Sequence, residues 1–206
     1  MALQPSLNPL VVAGTRDAPH TLDVFLDYVC PYSAKLSRTV DTVLKPRFDK
    51  GGKYYGKVKL IVRLQVQPWH ASSTFTHEAG LAVVRASPEH YWAFSRKLFD
   101  EQENFYDIPC STLTPLQIRE KLADIAESVI QDKGRVEEFR ELLRLKGSPN
   151  GGVAVTDDLK YTIKFSRQNG VHVSPTALWD GVVASEISSS WGEEEWSKFL
   201  AEKVKV

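Results

Sequence analysis

Cys30-Pro31-Tyr32-Ser33 is the stretch whose residue types and spacing most directly support chemistry. The residues before it, Leu22 to Tyr28, contain the apolar run Val24-Phe25-Leu26 and read as a buried strand. Pro31 suits the first turn of a helix, where its missing N–H has no helical partner to lose. Leu36, Val40, Val43 and Leu44 follow at helical spacing. The cysteine therefore falls where a strand ends and a helix begins. Unsatisfied N–H groups and the helix dipole favour negative charge at that point. A thiol placed there is expected to ionise below its ordinary value of about 8.5 and to act as a nucleophile. Ser33 brings a hydroxyl within reach of the sulfur, and a hydrogen bond donated to a thiolate favours ionisation further. The alternative is a small buried cysteine that packs and has no reactivity.

Val173-Ser174-Pro175-Thr176 is the second feature, because it leads into another apolar run. Proline is tolerated as the first residue of a strand, and the Ser174-Pro175 peptide is open to either trans or cis geometry. Pro68-Trp69-His70 is the third. It follows a strand that a parallel arrangement would end at the same sheet edge as Cys30. His70 is then either a partner of the thiolate or the substrate, or a residue that starts a helix and bonds to backbone. His77 shares a helical face with His70, but two histidines alone make a poor metal site, and no metal is expected. Cys110 lies in Ile108-Pro109-Cys110-Ser111 and reads as a half-buried structural thiol. A bridge to Cys30 requires Cα atoms within about 7 Å, which sequence does not establish. Nucleotide-binding glycine loops, the P-loop, zinc-protease and nucleophile-elbow motifs are all missing.

The elements that position these residues follow from periodicity. The helix that begins at Pro31 is expected to stop near Lys45, because Pro46 disfavours helical geometry in the residue before it. Val58, Leu60, Val62, Leu64 and Val66 alternate with Lys59, Ile61, Arg63 and Gln65, which predicts a strand with one half-exposed face. Residues 22–66 thus read as strand, helix, strand, with the two strands parallel. Helical segments fill the middle. Thr114-Pro115-Leu116-Gln117 is a capping box with proline at the first helical position. Asp180-Gly181 between two short apolar runs predicts a hairpin. Ser190 and Glu193 suggest a second capping box ahead of the last helix.

The two motifs, in this order and separation, resemble the thioredoxin superfamily, and more closely its DsbA-like branch. That resemblance implies an α/β fold with a helical insertion between its βαβ and ββα halves. It assigns residues 21–70 and 153–206 to the thioredoxin-like domain and 71–152 to the inserted helical domain. Residues 1–20 form an arm that adds at most a short strand. By the same resemblance, Cys30 is the nucleophile, Ser33 stands at the resolving position, and Pro31 and Tyr32 complete the active-site motif. Pro175 becomes the cis-proline, and Ser174 the residue whose backbone pairs with a bound peptide or glutathione. The family's second active-site cysteine is absent, since Ser33 occupies its place. A dithiol resolves its own mixed disulfide by closing on itself, whereas this motif needs an external thiol.

Composition narrows the partners. With 26 basic and 26 acidic residues among 206, the chain lacks the basic excess of a nucleic-acid binder. No apolar run approaches the roughly 20 residues of a membrane span. Neither nucleic acid nor a membrane is therefore an expected partner. No export signal is visible at the start, so the expected compartment is the reducing cytosol, with both cysteines free. The leading expectation is a monothiol thiol–disulfide oxidoreductase with no bound cofactor. Its partners would be a protein or small-molecule disulfide and glutathione as co-substrate. The alternatives are a non-catalytic binding module on the same fold and a kappa-like glutathione transferase or isomerase.

Overall fold

A computed structural model describes residues 3–205. Those parts of the 1–20 arm and the 153–206 segment that fall on residues 1, 2 and 206 lie outside the described residues. Packing divides the chain into two units.

The first unit holds the described residues through Leu26, then Cys30–Arg63 and the described residues from Val173 onward. Its strands are β1 (Val11–Ala13), β2 (His20–Leu26), β3 (Val58–Leu64), β4 (Thr176–Trp179) and β5 (Val182–Val183), arranged in the order β1-β3-β2-β4-β5. β1, which comes from the N-terminal arm, runs antiparallel to β3. β4 runs antiparallel to β2 with Phe25 opposite Thr176 and Asp23 opposite Leu178. The end of β2 that leads to Cys30 therefore lies beside the start of β4, immediately after Ser174-Pro175. The Asp180-Gly181 hairpin joins β4 to β5. Both of its turn residues have positive φ, 49° and 88°, the backbone that a tight two-residue hairpin requires. The Asp180 carboxylate accepts from the Thr21 N–H at 2.7 Å and contacts His20 Nδ1 at 2.7 Å, which ties the turn to β2.

Three local expectations are corrected in this unit. β3 is not half-exposed, and all its residues except Lys59 are buried. The alternating polar residues suggested a wet face, but Arg63 is 4 % exposed and its Nε donates to Asp23 Oδ1 on the neighbouring strand at 2.7 Å. The helix does not stop at Lys45. α1 (Pro31–Thr39) widens into a π-helical turn over Val40–Leu44 and continues as α2 (Lys45–Phe48). A proline ring crowds the carbonyl four residues back and offers no N–H, and a widened turn accommodates both defects without breaking the helix. Finally, the cap of the last helix (Glu193–Lys203) is Gly192, whose N–H donates to Glu195 Oε2 at 2.9 Å. Ser190 instead bonds to Ser188.

The second unit holds Asp27–Val29 and Leu64–His172. Its helices are α3 (Ser73–Ala86), α4 (Tyr91–Asp100), α5 (Asp107–Cys110), α6 (Pro115–Val129), α7 (Lys133–Leu142) and α8 (Thr156–Gln168). α3 is buried along most of its length and packs against α4, α6, α7 and α8. The Thr114 capping box forms, with Gln117 N–H donating to Thr114 Oγ1 at 3.3 Å and Thr114 N–H to Gln117 Oε1 at 2.8 Å. Gly80 lets Tyr28 lie against α3. A Cβ at that position would stand 2.7 Å from the tyrosine hydroxyl oxygen. The unit extends from Leu64 to His172 around these helices. α8 joins it because it packs on α3, with Arg85 Nε donating to Asp158 Oδ2 at 2.7 Å. Residues 67–70 join it through hydrogen bonds to Asp27.

Candidate active site

Cys30 is the N-cap of α1, with extended backbone at φ −94° and ψ 121°. Its carbonyl accepts the first helical bond, from Ala34 N–H at 3.1 Å. Its side chain is only 5 % exposed. The thiol donates to the carbonyl oxygen of Ser174 at 3.4 Å, and the Ser174–Pro175 peptide is cis. Thr176 Oγ1 donates back to the Val173 carbonyl at 2.8 Å, which closes the loop on itself just before β4. The pairing of β2 with β4 thus brings two segments 144 positions apart to one sulfur. Pro31 opens the helix. Tyr32, 65 % exposed, presents its ring to solvent, whereas Ser33 is fully buried in the first turn. Val173 is a further exposed apolar side chain, on the other segment. The arrangement is a recessed thiol with a backbone carbonyl beside it, at a helix end that favours an anion.

The remaining sequence candidates separate. Cys110 is a free, buried thiol that donates to the Asn104 carbonyl at 3.7 Å. Burial pushes its ionisation up, only partly countered by Lys121. His70 bonds chiefly to a carboxylate rather than to backbone, and its Nδ1 lies 2.9 Å from Asp27 Oδ2. His77 is fully buried, with Nδ1 2.7 Å from the Ser73 carbonyl and its ring against Tyr28 at 5.1 Å. The two histidines have different partners, and among the described residues no group of three or more metal-ligating side chains could hold an ion. Among the same residues, no helix is long and apolar enough to cross a membrane.

Two residues escaped the sequence reading, and both are aspartates on the segment that delivers Cys30. Asp23 is fully buried and pairs with Arg63. Burial raises its carboxyl above the usual range, partly offset by the Arg63 charge and hydrogen bond. Asp27 is also fully buried. Its Oδ1 accepts from Val29 N–H at 3.1 Å and from the Ser73 hydroxyl at 3.0 Å. Its Oδ2 accepts from Gln67 N–H at 3.2 Å and faces His70. The available signal was an acidic residue directly after an apolar run, where solvent is not expected.

A family model described as thioredoxin matches residues 7–146 of the chain. No sequence among curated proteins matches it. Among solved structures, a candidate protein-disulfide isomerase from Pseudomonas syringae is 25% identical, with 93% of this chain and 97% of that one covered at a TM-score of 0.69. Oxidised BdbD from Bacillus subtilis is 21% identical, covering 98% and 97% of the two chains at 0.65. DsbA from Chlamydia trachomatis is 17% identical, covering 98% and 93% at 0.61. The fold is shared over nearly the whole length of each of these chains.

Proposed function

This chain belongs to the thioredoxin family, with a thioredoxin-like α/β fold and helical insertion of the DsbA type, and on that premise we propose that it is a thiol–disulfide oxidoreductase working through one cysteine. The observation that carries the reading is the recessed Cys30 sulfur, 3.4 Å from the Ser174 carbonyl at the cis Ser174–Pro175 bond and at the N-terminus of α1. The names of its structural neighbours, protein-disulfide isomerase, BdbD and DsbA, support the same class of chemistry.

The Cys30 thiolate attacks one sulfur of a substrate disulfide. The substrate's S–S bond breaks, one half leaves as a thiolate, and the other stays on Cys30 as a mixed disulfide. The backbone of Ser174 holds the substrate segment alongside Pro175, and Tyr32 and Val173 supply apolar contact at the opening. Ser33 has no thiol to close the cycle. A second thiol, glutathione in the cytosol where we place this protein, attacks the mixed disulfide and releases Cys30. Overall, one disulfide and one thiol become a new disulfide and a new thiol, so no bound cofactor is needed.

The test is turnover of a glutathione mixed disulfide with glutathione as reductant, in wild type, Cys30→Ser and Cys30→Ala. Turnover is expected in the wild type alone, with mass spectrometry finding one glutathione adduct, on Cys30. Glutathione conjugation that survives in Cys30→Ala would replace this reading with a transferase. A wild type without turnover that still retains a peptide partner would replace it with a binding module.

A further inference from the structure

We propose that the helical unit carries a binding site of its own, a pocket for a small aromatic carboxylate, walled by the segment after β3 and by the C-terminal end of α8. The proposal is independent of the thiol chemistry above.

The cavity measures about 270 Å³, and all of its lining residues fall between Gln65 and His172, inside the one unit. Pockets for drug-sized ligands start at about 300 Å³, so this one suits a smaller molecule. Both walls are held in place. Gln67 N–H donates to Asp27 Oδ2 at 3.2 Å, which fixes the segment that carries Gln65 and Trp69. α8 ends in a reversal at Gly170, whose φ of 68° costs glycine nothing. Gly170 N–H donates to the Arg167 carbonyl at 3.2 Å and Val171 N–H to the Ser166 carbonyl at 2.9 Å. These are the paired bonds of a Schellman cap. They turn Val171 back against the helix, where it forms part of the pocket wall.

Gln65 is the residue that points to a ligand. It lines the cavity and is only 6 % exposed, yet among the described residues its side-chain amide has no hydrogen-bond partner. Buried polar groups are paired as a rule, because an unpaired one loses its hydration with no return. A polar atom on a bound molecule supplies the partner that the fold does not. The other lining residues name the chemistry. Trp69 is 57 % exposed, and with Ile163 and Val171 it offers an apolar wall suited to a flat ring. Arg167 carries a guanidinium that has no ion-pair partner among the described residues. His172 is the other titratable group on the wall, and among the described residues no acidic side chain lines the cavity. The terminal carbonyls of a helix repel an anion. Here those of Phe165, Ser166 and Arg167 already accept N–H groups from Asn169, Gly170 and Val171. A guanidinium grips a carboxylate through two parallel hydrogen bonds. In the occupied site Arg167 holds the carboxylate, the Gln65 amide bonds to a ligand oxygen, and the ring lies against Trp69.

The test is titration of 3-phenylpropionate into the whole protein, followed by saturation-transfer NMR and calorimetry, with 3-phenylpropionamide as the uncharged probe. Wild type is expected to bind the acid saturably, with a Kd below about 1 mM. The amide is expected to bind at least about tenfold more weakly, for want of the charge-assisted pair. Arg167→Met should weaken the acid about tenfold and Trp69→Ala about fivefold. Arg167→Lys keeps the charge without the fork and should fall between Arg167→Met and wild type. Gln65→Leu separates ligand from fold. It should weaken the acid about fivefold, while the Tm without ligand stays the same or rises, since an unpaired buried amide has been removed. Absence of saturable binding to wild type would overturn the proposal. Equal affinity for acid and amide would overturn the carboxylate assignment. Unchanged binding in the folded Arg167→Met, Trp69→Ala and Gln65→Leu variants would overturn the site by placing the acid elsewhere. A lowered Tm in Gln65→Leu would assign that amide a structural role and remove the observation on which the site rests.

Discussion

The buried Asp23–Arg63 pair makes a prediction whose pH dependence differs between its two halves. Asp23 is fully buried, Arg63 nearly so, and Nε lies 2.7 Å from Oδ1, while Asp23 Oδ2 has no hydrogen-bond partner. Removing one member of a buried pair costs about 3–5 kcal/mol, because the other charge is left in a poor solvent. For a chain of this length that corresponds to roughly 6–20 °C in Tm, at about 2–4 °C per kcal/mol. In Asp23→Ala the guanidinium cannot lose its proton, so the penalty is expected to be flat with pH. In Arg63→Met the stranded carboxyl escapes the penalty by staying protonated. Burial already raises the Asp23 carboxyl, and loss of Arg63 raises it further. The folded state then holds its proton above the unfolded value of about 3.9. Stability is full below that value and is lost as pH rises through the folded one. The slope is about 1.4 kcal/mol per pH unit, so the full cost develops over about 2–4 units above pH 4. Replacing both residues, as Asp23→Leu with Arg63→Met, is expected to restore most of the stability.

The assay is urea unfolding followed by tryptophan fluorescence from pH 4 to 8, with midpoints compared at unchanged slope. Arg63→Met should approach wild type at pH 4 and fall away by pH 7, whereas Asp23→Ala should be displaced equally throughout. A pH-independent Arg63→Met, or an Asp23→Ala penalty under about 1 kcal/mol, would show that the pair is hydrated rather than buried in the way described, against the usual cost of such a break.

Two further outcomes follow from the thiols. Ser33→Cys places a second thiol at a buried position in the first turn of α1, so its mixed disulfide should resolve internally; after treatment with oxidised glutathione, mass spectrometry should find an intramolecular bridge where wild type keeps an adduct, and a persistent adduct would refute this. Burial holds the Cys110 thiol above its ordinary range, so iodoacetamide at pH 7 should label Cys30 first and reach Cys110 quickly only at strongly alkaline pH, with Cys110→Ser turning over as wild type; equal labelling rates at pH 7 would count against this.

The site was legible in sequence to the extent that backbone punctuation writes it. Strand, cysteine, proline and helical spacing placed Cys30 at a helix start, whereas cis geometry at Ser174-Pro175 was implied only by the family resemblance, since proline is tolerated at the start of a strand in either form. Polar residues inside the protein were not legible. Arg63 alternates with valine and leucine, and alternation means a wet face unless a partner waits on the next strand. Asp23 is that partner, and only the register of the sheet brings the two together. Pro46 misled for a related reason. Local sterics disfavour helix before a proline, but a π turn absorbs the defect, and that is a property of the whole helix rather than of the dipeptide. The packing of α8 on α3 was not legible either, because composition does not record a tertiary preference.

A buried carboxylate needs partners, and the two aspartates find theirs in different ways. Asp23 is fastened within the sheet unit, to Arg63. Four residues later Asp27 is fastened within the helical unit, to Ser73, Gln67 and His70, and the chain then returns to the sheet unit at Cys30. One aspartate is held by an opposite charge and the other by backbone N–H groups, a hydroxyl and an imidazole, and in neither case does the residue's own place in the sequence name its partners.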